Sequence, residues 1–135
     1  MNIIPIFALA LAPNPPVPLS EIQMQDIRCV AVIGIAASEQ RTKNGVFAEY
    51  PALSDDGKRW AGIVGDRVME ATGQPREVVA LAIQTSVKTE QEMSATAEEG
   101  NTGFRERLTA CVGKMNASLG ALEMADGEPE AEPVK

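Results

Sequence analysis

Residues Ser20 to Ala37 constrain this chain more than any other stretch. Ser20 can cap a helix, Gln23 stands three residues later as the capping-box partner, and Leu19 with Met24 can form a hydrophobic staple. From Ile27 to Ala37 the sequence CVAVIGIAA and its flanks are then apolar on every face. Val30, Val32, Ile33 and Ile35 are β-branched and would suit a strand, but the run sits inside a continuous capped helix of plausible length. A helix without a polar face needs other helices around it. The first helix is therefore expected at the centre of an all-α fold.

Three further helices can be read from caps and periodicity. Asn44-Gly45 and Tyr50-Pro51 mark residues 43–53 as a loop, in which Phe47, Tyr50 and Leu53 pin the chain to the core. Ser54 is expected to cap the second helix, with Asp55 and Asp56 at the positive end of its dipole, an inward stripe of Trp60, Val64, Val68 and Ala71, and Gly73 as the C′ residue. Pro75 suits the first turn of the third helix, which turns Val79, Ile83 and Val87 inward and becomes polar from Glu90 to Glu99. Asn101 to Gly103 reads as a break. After it, Phe104, Leu108, Cys111, Val112, Met115, Leu119 and Leu122 recur at three- and four-residue spacing, as an amphipathic helix requires. The expected architecture is a small bundle or orthogonal array of about four helices.

The chain ends are of a different kind. Ile3 to Ala12 is an apolar run of ten residues with Ala8, Ala10 and Ala12 alternating at its end, which suits a signal peptide over residues 1–12. Ten residues cannot span a hydrocarbon core that takes about 20 helical residues, so no stable membrane anchor is expected. The other reading of this run is a buried N-terminal segment of a cytosolic protein. Residues 13–19 form a Pro-rich spacer, with order expected from near Leu19, and 20–124 form the helical domain. Residues 125–135, rich in acids and proline, read as a disordered tail.

Cys29 lies in the apolar helix and Cys111 on the stripe of the last one, so both are expected inside and able to face each other. In an exported protein they should form one disulfide, whose loop of about 80 residues would stabilise the fold by roughly 4 kcal/mol. Without export they would be two buried thiols acting as small hydrophobes.

Composition excludes more chemistry than any motif supplies. The 135 residues contain no His, which removes the commonest general base and most zinc, haem and di-iron sites. A formal charge of −7 disfavours nucleic acid as a partner, because phosphate binding needs clustered Lys and Arg. The terminal ten residues carry four of the 19 acids, so the body is only mildly acidic. Asp55 and Asp56 with Glu49 could hold a hard cation but more simply suit a helix N-terminus. Asp66 and Glu70, a turn apart with Arg59 and Arg67 as local partners, read as a solvated face rather than paired catalytic carboxylates. Gly62 and Gly65 suggest close helix packing against Gly34, and GIVGDR lacks the strand and ending of a phosphate loop. The Asn116-Ala117-Ser118 sequon falls mid-helix, and Met24, Met69, Met93, Met115 and Met124 read as core filler. No catalytic residue, cofactor or metal ligand is indicated.

The segments Asp26-Ile27-Arg28-Cys29, Ser38-Glu39-Gln40, Tyr50-Pro51-Ala52-Leu53 and Val68-Met69-Glu70-Ala71-Thr72-Gly73, together with Cys111, resemble a family of small secreted helical proteins from sphingomonad-type alphaproteobacteria. The similarity spans most of residues 20–122. It implies export, an all-helical fold and a Cys29–Cys111 pair, and carries no activity with it. The chain departs from that pattern in having no basic residue ahead of its apolar run.

The leading functional expectation is a periplasmic or secreted, non-catalytic domain that acts through protein contacts, with an unknown partner or by self-association. A second is an acid-responsive holdase chaperone, since protonating 19 carboxylates would leave 12 positive charges and loosen the fold. A third is a carrier of a small apolar ligand, held between helices around Trp60, Met69 and Phe104.

Overall fold

The computed structural model describes the backbone of residues 15–96 and 100–126. Four helices make up the fold: α1 (Glu21–Thr42), α2 (Ser54–Thr72), α3 (Arg76–Thr96) and α4 (Gly100–Asp126). The expected signal peptide, residues 1–12, lies outside the described residues, as does the tail beyond Asp126. α4 itself runs two residues into the segment expected to be tail.

The capping box at the start of α1 forms as expected. The Ser20 hydroxyl accepts from the Gln23 amide, and the Gln23 side chain accepts from the Ser20 amide. Leu19 packs on the core, whereas Met24 is exposed. Beyond the cap, Ile27, Val32, Ile33 and Ala36 are wholly buried, and α1 packs against all three other helices. Its position follows from the apolar run, whose surface three neighbours remove from water, but the helix is not buried on every face as expected, since Arg28 and Gly34 are exposed.

Loop 43–53 is more highly organised than its turn residues suggest. Gln40, near the end of α1, donates its amide to the carbonyls of Phe47 (3.2 Å) and Pro51 (3.1 Å), and its Oε1 accepts from the Leu53 amide (3.0 Å). One side chain thus satisfies three loop backbone groups. Phe47 and Leu53 are buried. Phe47 adopts a φ of 57°, rare for an aromatic residue, and its ring lies 5.7 Å from that of Phe104. Thr109 donates its only hydroxyl proton to the Arg105 carbonyl, so the Tyr50 hydroxyl donates to Thr109. Replacing Gln40 by Ala should cost about 2 kcal/mol, the sum of modest net bonds and partly desolvated backbone groups. Amide exchange at Leu53 should accelerate with it, and an unchanged Leu53 rate would show that the clamp carries nothing.

Four expectations about helix ends and faces need correction. Ser54 is not the cap of α2 but its first residue: Leu53 precedes it in near-helical backbone and no side chain caps this end. The inward stripe of α2 ends on Thr72 rather than Ala71, with the buried Thr72 hydroxyl donating to the Val68 carbonyl and accepting from the Gln74 amide. Pro75 stands just before α3, where its carbonyl accepts from the Val78 and Val79 amides. The break at Asn101 to Gly103 does not occur, because these residues lie in the first turn of α4.

The Pro-rich spacer docks on the bundle. Val17, the sole amide donor between Pro15 and Pro18, bonds to the Thr72 carbonyl (2.9 Å), and its own carbonyl accepts from Gln74 (3.0 Å). Order therefore begins before Leu19. This tie places the start of α1 at the end of α2. Gly57, early in α2, meets Ile33, so the two helices run in opposite directions.

α4 crosses the bundle and ties it together. Cys29 and Cys111 are disulfide-bonded, with Cα atoms 5.1 Å apart, the pairing expected of an exported chain; Cys111 is buried, whereas Cys29, also expected inside, is half-buried. Lys114 pairs with Asp26 a turn away. Further along, Arg67 reaches Ser118 and Arg59 reaches Glu123, each at 3.5 Å. Those two arginines, expected to serve Asp66 and Glu70 within α2, instead bridge to α4.

At the other end of α4, Arg107 places both Nε (3.0 Å) and Nη2 (2.7 Å) on Oε2 of Glu90. Glu90 is 2% exposed, an acid inside the stretch of α3 that reads as polar and solvated. Of the methionines, Met115 is core while Met24, Met93 and Met124 are exposed.

Candidate functional site

Trp60, Met69 and Phe104 are expected from the sequence to surround one apolar pocket. The structure places them in three different surroundings. Trp60 is buried in the core at 1% exposure, with no hydrogen-bond partner for its indole N–H among the described residues. Phe104 borders a mixed cleft with Ile35, Ser38, Glu39, Gln91 and Ser94. Only Met69 lines an apolar groove, between α2 and α3.

That groove is part of a longer one. Val30 and Gly34 of α1, Gly57 and Ala61 of α2, and Ile83 and Val87 of α3 form a section of about 200 Å³. Ala61 and Ile83 also line the second section, of about 230 Å³, which continues past Gly62 and Gly65 to Met69 and Val79. The two sections therefore adjoin at Ala61 and Ile83, and their walls are mainly aliphatic. Asp66 and Arg76 flank the far end. Arg41, Ser54 and Lys58 are the polar residues of the first section and mark its near end, where α1 finishes and α2 starts.

Glycine shapes this groove in a way opposite to that expected. Gly34, Gly62 and Gly65 do not bring helices into close contact, since a Cβ on any of them would meet nothing within 4 Å. They widen the groove. The close approach falls instead at Gly57, where a Cβ would stand 3.0 Å from Ile33 Cγ2.

The remaining candidates are dispersed. Asp55 and Asp56 are exposed in the first turn of α2, while Glu49 pairs with Arg105, whose guanidinium also lies 4.8 Å from the Phe47 ring centroid. Among the described residues no group of three or more Cys, Asp or Glu side chains is placed to hold a metal ion. Asn116 is exposed in the middle of α4. None of the described helices is long and apolar enough to cross a membrane.

Fold and groove together define a disulfide-linked, four-helix domain with an open apolar groove between α2 and α3 that α1 borders at one end. No protein-family model, curated protein or solved structure matches the chain.

Proposed function

We propose that this protein is an exported, non-catalytic binding domain that carries a small apolar ligand in the groove between α1, α2 and α3. The observation that carries this reading is that two apolar hollows adjoin at Ala61 and Ile83. Either hollow alone falls below the roughly 300–1,000 Å³ of ordinary ligand sites, whereas a ligand lying across both would reach that range. Their linear arrangement suits an extended chain better than a fused ring. The disulfide supports export, because such bonds persist in oxidising compartments.

The test uses the single tryptophan. Gly57 and Ala61, groove residues of α2, flank Trp60 in sequence, one turn before it and one residue after it. Titration with straight-chain alcohols should change its fluorescence, with affinity rising roughly two- to fourfold per methylene until the groove is filled. Affinity independent of chain length would refute the carrier reading.

Protein contact is the second reading, favoured by Val78 and Leu81. They are 38% and 62% exposed, three residues apart on one side of α3. Covalent crosslinking in cells should then capture a partner or a second copy through α3, and crosslinks distributed without regard to α3 would count against it.

A further inference from the structure

We infer that the ligand is a single-chain amphiphile with an anionic head, of the fatty carboxylate class, bound with its head at Arg41 and Lys58 and its chain directed towards Met69. The inference rests on the carrier reading and adds the polarity and orientation of the ligand. Its basis is the uneven distribution of charge along the groove. Arg41 and Lys58 both line the near end, and neither has an ion-pair partner among the described residues. At the far end Asp66 and Arg76 carry opposite charges and provide no net attraction. Between the ends the wall is formed by residues such as Ala31, Ala61, Ile83 and Val79, which offer a hydrocarbon chain contact and no polar side chain to desolvate.

The start of α2 reinforces the near end. No side chain caps its first turn, and Ser54, its first residue, lines the groove. The partial positive charge of a helix N-terminus therefore adds to the two cations. Asp55 and Asp56 occupy the same turn and would oppose an anion. At 100° per residue, however, Ser54, Gly57, Lys58 and Ala61 share one face of α2, while the two aspartates project from other faces and are absent from the groove lining. A head with one or two oxygen anions can thus meet Arg41, Lys58 and Ser54 without facing either carboxylate.

The experiment compares dodecanoate, dodecanol and dodecyltrimethylammonium, all below their aggregation concentrations, on the oxidised full chain by Trp60 fluorescence and calorimetry. Dodecanoate should bind about tenfold more tightly than dodecanol, and the trimethylammonium compound more weakly than either. The Arg41→Gln/Lys58→Gln variant should lose that tenfold preference, dodecanoate falling to the affinity of dodecanol. Ala61→Leu, which narrows the shared part of the groove, should weaken dodecanoate and dodecanol alike, with helix content by circular dichroism confirming its fold. Equal affinity for dodecanoate and dodecanol in the parent would overturn the assignment of the head and leave the apolar carrier standing. Dodecanoate binding indifferent to Ala61→Leu would place the chain outside the groove and overturn the orientation. Absence of binding by all three compounds would overturn both the inference and the reading beneath it.

Discussion

Replacing Cys29 and Cys111 together by Ala should lower the unfolding free energy by about 4.5 kcal/mol, the loop-closure contribution expected for a sequence separation of 82. Against the roughly 5–15 kcal/mol available to a domain of this size, that loss brings the reduced protein close to its folding threshold. The melting temperature should fall by roughly 20 °C, since each kcal/mol corresponds to about 4–8 °C at this chain length. The effect should be large because of where the bond lies. It joins α1, which touches every other helix, to α4, which also carries Lys114, Ser118 and Glu123 to their partners on α1 and α2. Denaturant titration of the oxidised parent and the double variant measures the difference, and a loss below about 1 kcal/mol would show that packing alone fixes α4.

Glu90→Ala is the second large effect, expected to cost about 3 kcal/mol. Removing one member of a buried ion pair costs about 3–5 kcal/mol, and the lower end applies because the Arg107 side chain keeps 29% of its surface in water. Most of the penalty comes from the guanidinium left behind, beside Phe104 and without its carboxylate. The double variant Glu90→Leu/Arg107→Met should therefore recover most of the loss, as apolar replacements of buried pairs commonly do. A double variant as unstable as Glu90→Ala would show instead that the pair specifies how the end of α3 meets the start of α4.

These two predictions differ in how far the sequence could have anticipated them. The cysteines were legible because Cys29 sits in an apolar run and Cys111 on an apolar stripe of helical period. The capping box at Ser20 and the C-terminal glycine at Gly73, with its φ of 70°, were legible because their partners lie within four residues. Glu90 was not legible. It stands in a polar run, and its counterpart lies 17 residues away on another helix. Gln40 escaped for the same reason, since it bonds to backbone groups 7 to 13 residues further on that any side chain could precede.

Local turn signals also lost to tertiary packing. Asn101-Thr102-Gly103 would favour a break, yet these residues lie in the first turn of α4, whose next residue, Phe104, is buried against Phe47. The groove was the least legible feature. Its walls come from three helices, and a glycine inside a helix reads the same whether a neighbouring helix fills the space above it or leaves it open.

The pairing of Cys29 with Cys111 also bears on the order of events as the protein matures. With two cysteines in the chain, one intramolecular disulfide is possible, so oxidation cannot become trapped in an incorrect internal pairing and needs no isomerase to correct it. During synthesis or translocation from the N-terminus, Cys29 emerges long before its partner. It must wait as a free thiol for 82 further residues. The hazard in that interval is intermolecular. Crowded, unfinished chains could link through Cys29, because its side chain faces α4 and stays uncovered until that helix brings Cys111.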